Sequence, residues 1–249
     1  KVCRGNVTKS PAELANLHCR YVSNSPFSKL ARFKVEEVNL KPYIALYIDV
    51  LSDDEIKFLQ TITRPKARRA EVLSPDLKVR PSNVRIAQLA WHYDNEHEII
   101  ARISKRVEDM TGLSQETSEA IQVQNYGIGG HYVPHWDHRI KREKPFETAG
   151  NRIATTLFYL SDVEKGGATV FPYLQLKIPA RKGAAAFWYN LHPSGDGIYK
   201  TIHAACPVLL GSKWVANRWI REHGQEFRRP CIPGYFEEEE EEDYFNGIF

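Results

Sequence analysis

Residues 121–137 read IQVQNYGIGGHYVPHWD. The β-prone residues 121–126 lead into a glycine turn and then into an aromatic-rich run over 132–137, so the spacing predicts two extended strands joined by that turn. Pro134 argues against a helix here, which removes His131 and His135 as a helical i, i+4 pair. In a strand, alternate side chains share a face, so His135 and Asp137 project together while Trp136 points away. His131 and His138 read as polar surface or supporting residues.

Outward from this stretch toward the C-terminus, residues 152–160, 184–189, 203–210 and 214–220 are further strand candidates. Gly166-Gly167 and Ser194-Gly195-Asp196-Gly197 mark two of the turns between them. Toward the N-terminus the pattern is mixed. Residues 11–17 suggest a short helix, 23–26 a loop and 43–50 an apolar strand. Ser52-Asp53-Asp54-Glu55 is a capping box that starts a helix running to about Thr63. Residues 65–81 are basic and punctuated by proline, and suggest a strand with a mobile loop, while 83–91 is strand-like. Ile99, Ile103, Val107 and Met110 recur at helical spacing over 94–110, with Gly112 as a stop. No internal repeat is visible. Helices first and then many antiparallel strands give an α+β class with a jelly-roll-like core, a form that can hold a ligand in its mouth.

The chemistry follows from which residues that core would bring together. An H-x-D pair alone is common by chance. With His203 on a later strand, His135 and Asp137 complete a set of two histidines and one carboxylate, the facial triad of non-haem Fe(II) oxygenases, which leaves positions open for cosubstrate and oxygen. Ten residues after His203, Lys213 begins an alternating run in which Lys213, Val215, Asn217 and Trp219 share a face. A buried lysine requires an anionic partner, and the distal carboxylate of 2-oxoglutarate would be one. In 152–160, Ile153, Thr155, Leu157 and Tyr159 alternate onto one face, from which Thr155 or Tyr159 could bond a carboxylate.

Composition bounds the setting. The chain has 249 residues, 42% hydrophobic and 26% charged, enough for a real core. It contains no run of about 18 apolar residues, so no membrane span is expected. It opens at Lys1-Val2-Cys3 without a secretory leader, as a mature fragment cut from a longer protein would. Its net charge of +3 conceals seven negative charges in 237–243; without them residues 1–236 stand at +10. The acidic run over 237–249 is expected to be a solvated, disordered tail, and residues 1–236 one domain. Lysines and arginines are scattered rather than striped, which argues against nucleic acid as a partner. The four cysteines fall into two sequence-local pairs, Cys3/Cys19 and Cys206/Cys231, among three pairings that four cysteines allow. None has C-x-x-C spacing. Disulfides in a secretory-pathway protein agree with the glycosylation sequon at Asn6.

The segments NYGIGGHYVPHWD, GNRIATTLFYLSDVEKGGATVFP, AAFWYNL, HAACPVLLGSKWVANRWI and HGQEFRRPC, taken in order, resemble the catalytic domain of the collagen prolyl 4-hydroxylase α subunit. The likeness runs from Cys3 to about Cys231 and is dense from Gln122 onward. It implies a double-stranded β-helix, Fe(II) and 2-oxoglutarate with ascorbate as reductant, and 4-hydroxylation of proline in X-Pro-Gly sequences in the endoplasmic reticulum lumen. It implies His135, Asp137 and His203 as iron ligands and Lys213 as the partner of the distal 2-oxoglutarate carboxylate. Tyr126, Thr155 and Trp219 would line the cosubstrate pocket, and Arg85, Trp91 and Tyr132 would face the peptide. It also implies the pairs Cys3–Cys19 and Cys206–Cys231, and protein disulfide isomerase as the β subunit of an α2β2 tetramer; this chain has no retention signal of its own. The sequence departs from the family at Ala87, where serine is usual, in the loop before Asn83, and in the acidic tail. The first two departures touch peptide recognition, not the iron, and the rival readings are the same chemistry on a non-collagen peptide and an inactive paralogue acting as a binding subunit. Nucleic-acid demethylases and lysyl hydroxylases typically carry arginine where this chain has Lys213.

Overall fold

The computed structural model describes residues 1–5, 9–23, 25–73, 79–81, 83–139 and 149–232. The Asn6 sequon, the acidic tail and most of the loop before Asn83 lie outside the described residues. Short helices α1 (Pro11–Ala15) and α2 (Pro26–Leu30) alternate with the N-terminal strands β1 (Cys19–Val22), β2 (Phe33–Asn39) and β3 (Ile44–Ile48). Helix α3 (Asp53–Thr63) precedes β4 (Arg68–Arg69), β5 (Glu71–Leu73), β6 (Val79–Pro81) and β7 (Gln88–His92), and α4 (Glu98–Thr111) follows. The rest is β: β8 (Ile121–Tyr126), β9 (Tyr132–His135), β10 (Arg152–Tyr159), β11 (Lys165–Gly166), β12 (Thr169–Phe171), β13 (Leu176–Ile178), β14 (Ala185–Tyr189), β15 (His203–Ala205), β16 (Val208–Leu210) and β17 (Lys213–Arg221).

Nine strands form the major sheet in the order β1-β2-β3-β14-β10-β17-β8-β7-β4, and β13-β12-β15-β9 form a four-stranded sheet. The pairs β11-β16 and β5-β6 are separate two-stranded ribbons. This is the expected α+β jelly-roll arrangement, and both faces of the major sheet are covered. In β3 every residue is buried, because Ala45 and Tyr47 pack with α3 and α4 through Ile56, Leu59, Ile100, Ile103, Val107 and Met110. Ile44, Leu46 and Ile48 face the other way, into a core with Leu157, Tyr159, Phe171, Leu176, Trp188 and Val215. Two-sided burial explains why this strand reads as a continuous apolar run. Helix α3 starts as its capping box predicts: Ser52 Oγ accepts from the Glu55 amide while Glu55 accepts from the Ser52 amide. Helix α4 ends at Gly112 with φ 75°, a left-handed position suited to glycine.

Several expectations are corrected. Residues 203–210 are two strands, because Pro207 lacks an N–H and the chain turns there; β15 pairs with β9 and β12, and β16 with β11. Residues 83–91 divide as well. Ile86 donates to His131 O and accompanies β9, whereas only 88–92 joins the major sheet beside β8. A register shift between Arg152 and Ala154 turns Ile153 into the helix-side core, away from Leu157 and Tyr159. Helix α2 and strands β1, β2, β12 and β13 were not expected. The local cysteine pairing is also overturned, since the disulfide joins Cys3 to Cys206. The N-terminal turn Val2–Arg4 packs on the second sheet, where Val2 meets Ala168, Val170, Ala204 and Cys206 and brings the two cysteine Cα atoms to 5.7 Å. Cys19 and Cys231 are free and exposed. Among the described residues no helix is long and apolar enough to cross a membrane.

Candidate metal and cosubstrate site

Antiparallel pairing of β9 with β15 sets His135 directly opposite His203, and their rings stand 4.3 Å apart. Each imidazole is held by its own strand. His135 Nδ1 lies 2.9 Å from Val133 O, and His203 Nδ1 lies 3.1 Å from Thr201 O. With Nδ1–H donating to a carbonyl, Nε2 carries the free lone pair, the tautomer that a metal requires. Asp137 does not continue β9, which ends at His135. The chain leaves the strand at Trp136, whose Nε1 donates to Tyr199 O at 2.9 Å. This places the Asp137 carboxylate 3.8 Å from His135 Nε2 and 3.7 Å from His203 Nε2. One ligand atom from each of the three residues lies within 4.8 Å of the others.

The carboxylate is oriented from the major sheet. Thr155 on β10 donates to Asp137 Oδ2 at 2.7 Å, and Asn190 Nδ2 donates to Thr155 Oγ1 at 2.9 Å. Arg152, two-pronged on Glu119 at 2.5 and 2.7 Å, lies 3.9 Å over the Trp219 ring beside them. Burial alone would raise the Asp137 carboxyl, but the facing His203 and His135, and then Arg152, hold it well below the usual carboxylate range. Desolvation, followed by His203, pushes His135 down. One carboxylate and two imidazoles converging on a common point are a donor set that fits Fe(II), with one face left to the cavity.

That cavity continues to Lys213. His135, His203, Tyr126, Tyr132, Gln124, Leu157, Thr169, Trp188 and Asn217 line it together with Lys213. On β17, Lys213 stands opposite Tyr126 of β8 and is 1% exposed. Its Nζ reaches Thr169 Oγ1 only at 3.4 Å, and it sits 5.7 and 5.9 Å from the Tyr126 and Tyr159 rings. No carboxylate among the described residues pairs with it, and desolvation pushes its pKa down to about 7. A buried cation without a counterion, sharing a cavity with the two histidines of the triad, fits a dicarboxylate that reaches from metal to lysine.

The predicted residues are not all placed where expected. Tyr126 and Tyr132 line the cavity, and Tyr132 stacks on His135 with centroids 3.5 Å apart. Thr155 holds Asp137 and does not line the cavity. Trp219 faces an outer cleft, not the cosubstrate, and meets Trp91 at 5.8 Å. Arg85, 5.0 Å over the Tyr132 ring and bonded to Gln122, borders the same cleft, which His135 and Asp137 also line. Ala87 is buried. His138 is buried too, and burial holds its pKa down at about 4. Arg152, Thr169, Gln124, Trp188 and Asn190 were missed. Gln124 alternates with Tyr126, and the strand period alone would have pointed to it.

Comparisons with known proteins agree with this geometry. The family model described as the 2OG-Fe(II) oxygenase superfamily matches residues 121–221, the span that carries the triad and Lys213. The prolyl 4-hydroxylase subunit alpha-1 of Gallus gallus is 46% identical over 92% of this chain and 46% of its own length. The Homo sapiens subunit alpha-1 is 47% identical over 92% of this chain and 44% of its own length. The chain thus spans under half the length of these curated relatives. A viral collagen prolyl hydroxylase from Paramecium Bursaria Chlorella virus-1, solved as a 2OG complex, superposes with a TM-score of 0.59 at 30% identity, covering 72% of this chain and 95% of that one. The chain belongs to the prolyl 4-hydroxylase family of the 2OG-Fe(II) oxygenase superfamily.

Proposed function

We propose that residues 1–236 form a catalytic unit that hydroxylates proline at C4 in X-Pro-Gly sequences of collagen-like chains, using Fe(II), 2-oxoglutarate and O2. The observation that carries this reading is the unneutralised Lys213 in one cavity with His135 and His203, whose Nε2 atoms meet the Asp137 carboxylate where that cavity adjoins an aromatic cleft. His135 Nε2, His203 Nε2 and an Asp137 oxygen would hold the iron, and Lys213 the far carboxylate of 2-oxoglutarate. When bound, iron with 2-oxoglutarate supplies oxidation of an unactivated C–H bond by dioxygen.

The chain's own residues orient and exclude. Thr155 and Asn190 fix the carboxylate, and the Val133 and Thr201 carbonyls fix the imidazoles. Leu157, Val215 and Trp188 keep bulk water from the cavity. Trp91, Trp219 and Tyr132 give the outer cleft faces on which a proline ring can lie, with Arg85 and Arg152 on its walls. Relatives named as prolyl 4-hydroxylase alpha subunits support a proline substrate. As the resemblance of the sequence implies, we further propose ascorbate as the reductant and protein disulfide isomerase as the partner, in an α2β2 tetramer. The Cys3–Cys206 disulfide supports an oxidising compartment, the endoplasmic reticulum lumen.

The test is mass spectrometry of a (Pro-Pro-Gly) repeat peptide incubated with the chain co-expressed with protein disulfide isomerase, Fe(II) and ascorbate, with and without 2-oxoglutarate. Oxygen gained on proline C4 only with 2-oxoglutarate is the expected result. A folded, iron-loaded protein that leaves the peptide unchanged contradicts the proposal.

A further inference from the structure

Three buried polar atoms of residues lining the cosubstrate cavity have no hydrogen-bond partner among the described residues: Gln124 Nε2, Trp188 Nε1 and Asn217 Oδ1. Buried polar groups are nearly always paired, so orphans gathered in one ligand cavity mark groups kept for the ligand or for ordered water. Gln124 is the most constrained of them. On β8 it stands opposite Val215, two residues along from the Tyr126–Lys213 pair and therefore on the same face. The Tyr126 hydroxyl donates to Gln124 Oε1 at 2.7 Å, which fixes the amide and leaves Nε2 as its remaining polar end. Gln124 itself is 1% exposed, so bulk water does not satisfy that donor.

We propose that Gln124 is a cosubstrate-positioning residue, donating from Nε2 to a carboxylate oxygen of the 2-oxo dicarboxylate whose far end Lys213 holds. The inference deepens the proposed function and rests on reading this cavity as the 2-oxoglutarate site. The chemistry selects the partner, because an amide N–H only donates and a dicarboxylate near neutral pH only accepts. Lys213 alone is a point charge on a flexible stem, and a second, fixed donor on the same face sets the ligand's direction as well as its charge. Trp188 Nε1 is a further donor on the cavity wall, its ring 4.8 Å from His203. Asn217 Oδ1 is an acceptor and does not suit a carboxylate; it keeps an ordered water beside the ligand.

The experiment is calorimetric titration of 2-oxoglutarate into the Mn(II)-loaded protein, comparing wild type with Gln124→Met and Gln124→Glu. Melting temperatures without ligand and steady-state KM and kcat for 2-oxoglutarate accompany it. Gln124→Met keeps the side chain's length and deletes the donor, so its affinity falls about tenfold, the loss expected for one hydrogen bond to a charged group. KM rises in step while kcat changes by less than about twofold, the signature of lost ground-state binding. Gln124→Glu keeps an acceptor for the Tyr126 hydroxyl and sets a carboxyl against a dianion, so it binds more weakly still. Wild-type binding with unchanged affinity in both variants overturns the proposal and assigns the amide to water. Absence of binding to the metal-loaded wild type overturns the 2-oxoglutarate reading itself, and this inference with it.

Discussion

Lys213 shows how a single side chain ties fold to function. Its charge is buried without a counterion and its pKa sits at about 7, so the empty protein bears a desolvation penalty. Because the folded pKa lies below the unfolded one, the unfolded chain binds more protons between about pH 7 and 10.5, and stability rises with pH across that window. The penalty is full below about pH 7 and gone above 10.5. Lys213→Met therefore stabilises the empty protein, by roughly 2 kcal/mol at pH 6, and the advantage shrinks as pH rises; melting curves at pH 6 and 9 check this. The same variant loses 2-oxoglutarate binding. With Lys213 holding the far carboxylate as proposed, the dianion needs the protonated lysine, so affinity is expected to fall as pH rises above about 7, up to tenfold per unit. Calorimetry at pH 8 in two buffers of different ionisation enthalpy measures the accompanying proton uptake. Equal heats in the two buffers would mean that Lys213 is already charged in the empty cavity.

Elements place these side chains, and here the sequence was only partly legible. The strand period grouped Lys213 with Val215 and Asn217, and the capping box located the start of α3, because both signals are local. His135 and His203 lie 68 positions apart, and nothing local states that their strands are register partners. Nor does local pattern reveal the bulge that turns Ile153 away, or the loss of strand geometry after His135 that lets Asp137 swing toward Thr155. Thr155→Val removes that orienting hydrogen bond at little change in volume. It is expected to weaken metal affinity by about 10- to 100-fold with the fold intact, as read by metal titration. Gly166, between β10 and the strand of Thr169, has φ 79°, and a Cβ there would stand 2.2 Å from Pro207 O. Gly166→Ala is expected to cost roughly 2–4 kcal/mol, through left-handed strain and displacement of the β16 pairing. Denaturant midpoints measure it.

At the scale of the molecule, the second sheet is held against the first by its core and is closed at one end by the link from Cys3 to Cys206. That cysteine follows directly on the strand of His203, so the N-terminal turn braces that strand. Sequence proximity suggested pairing Cys3 with Cys19, but the packing of Val2 on Ala168 and Val170 is a long-range fact that spacing does not encode. Peptide mapping without reduction should recover the residue 3–206 link, and a Cys3–Cys19 peptide would contradict this topology. The link closes a span of 203 residues, so reduction is expected to cost up to about 5 kcal/mol by chain entropy.

In the proposed function His135, Asp137 and His203 act as one metal site within this fold. The most direct test measures bound iron, melting temperature and 2-oxoglutarate-dependent succinate formation together for the wild type and for His135→Ala, Asp137→Ala and His203→Ala. The prediction is one bound iron and succinate formation in the wild type, with folded variants that hold no iron and form no succinate. A variant that keeps full iron and full succinate formation would contradict the assignment.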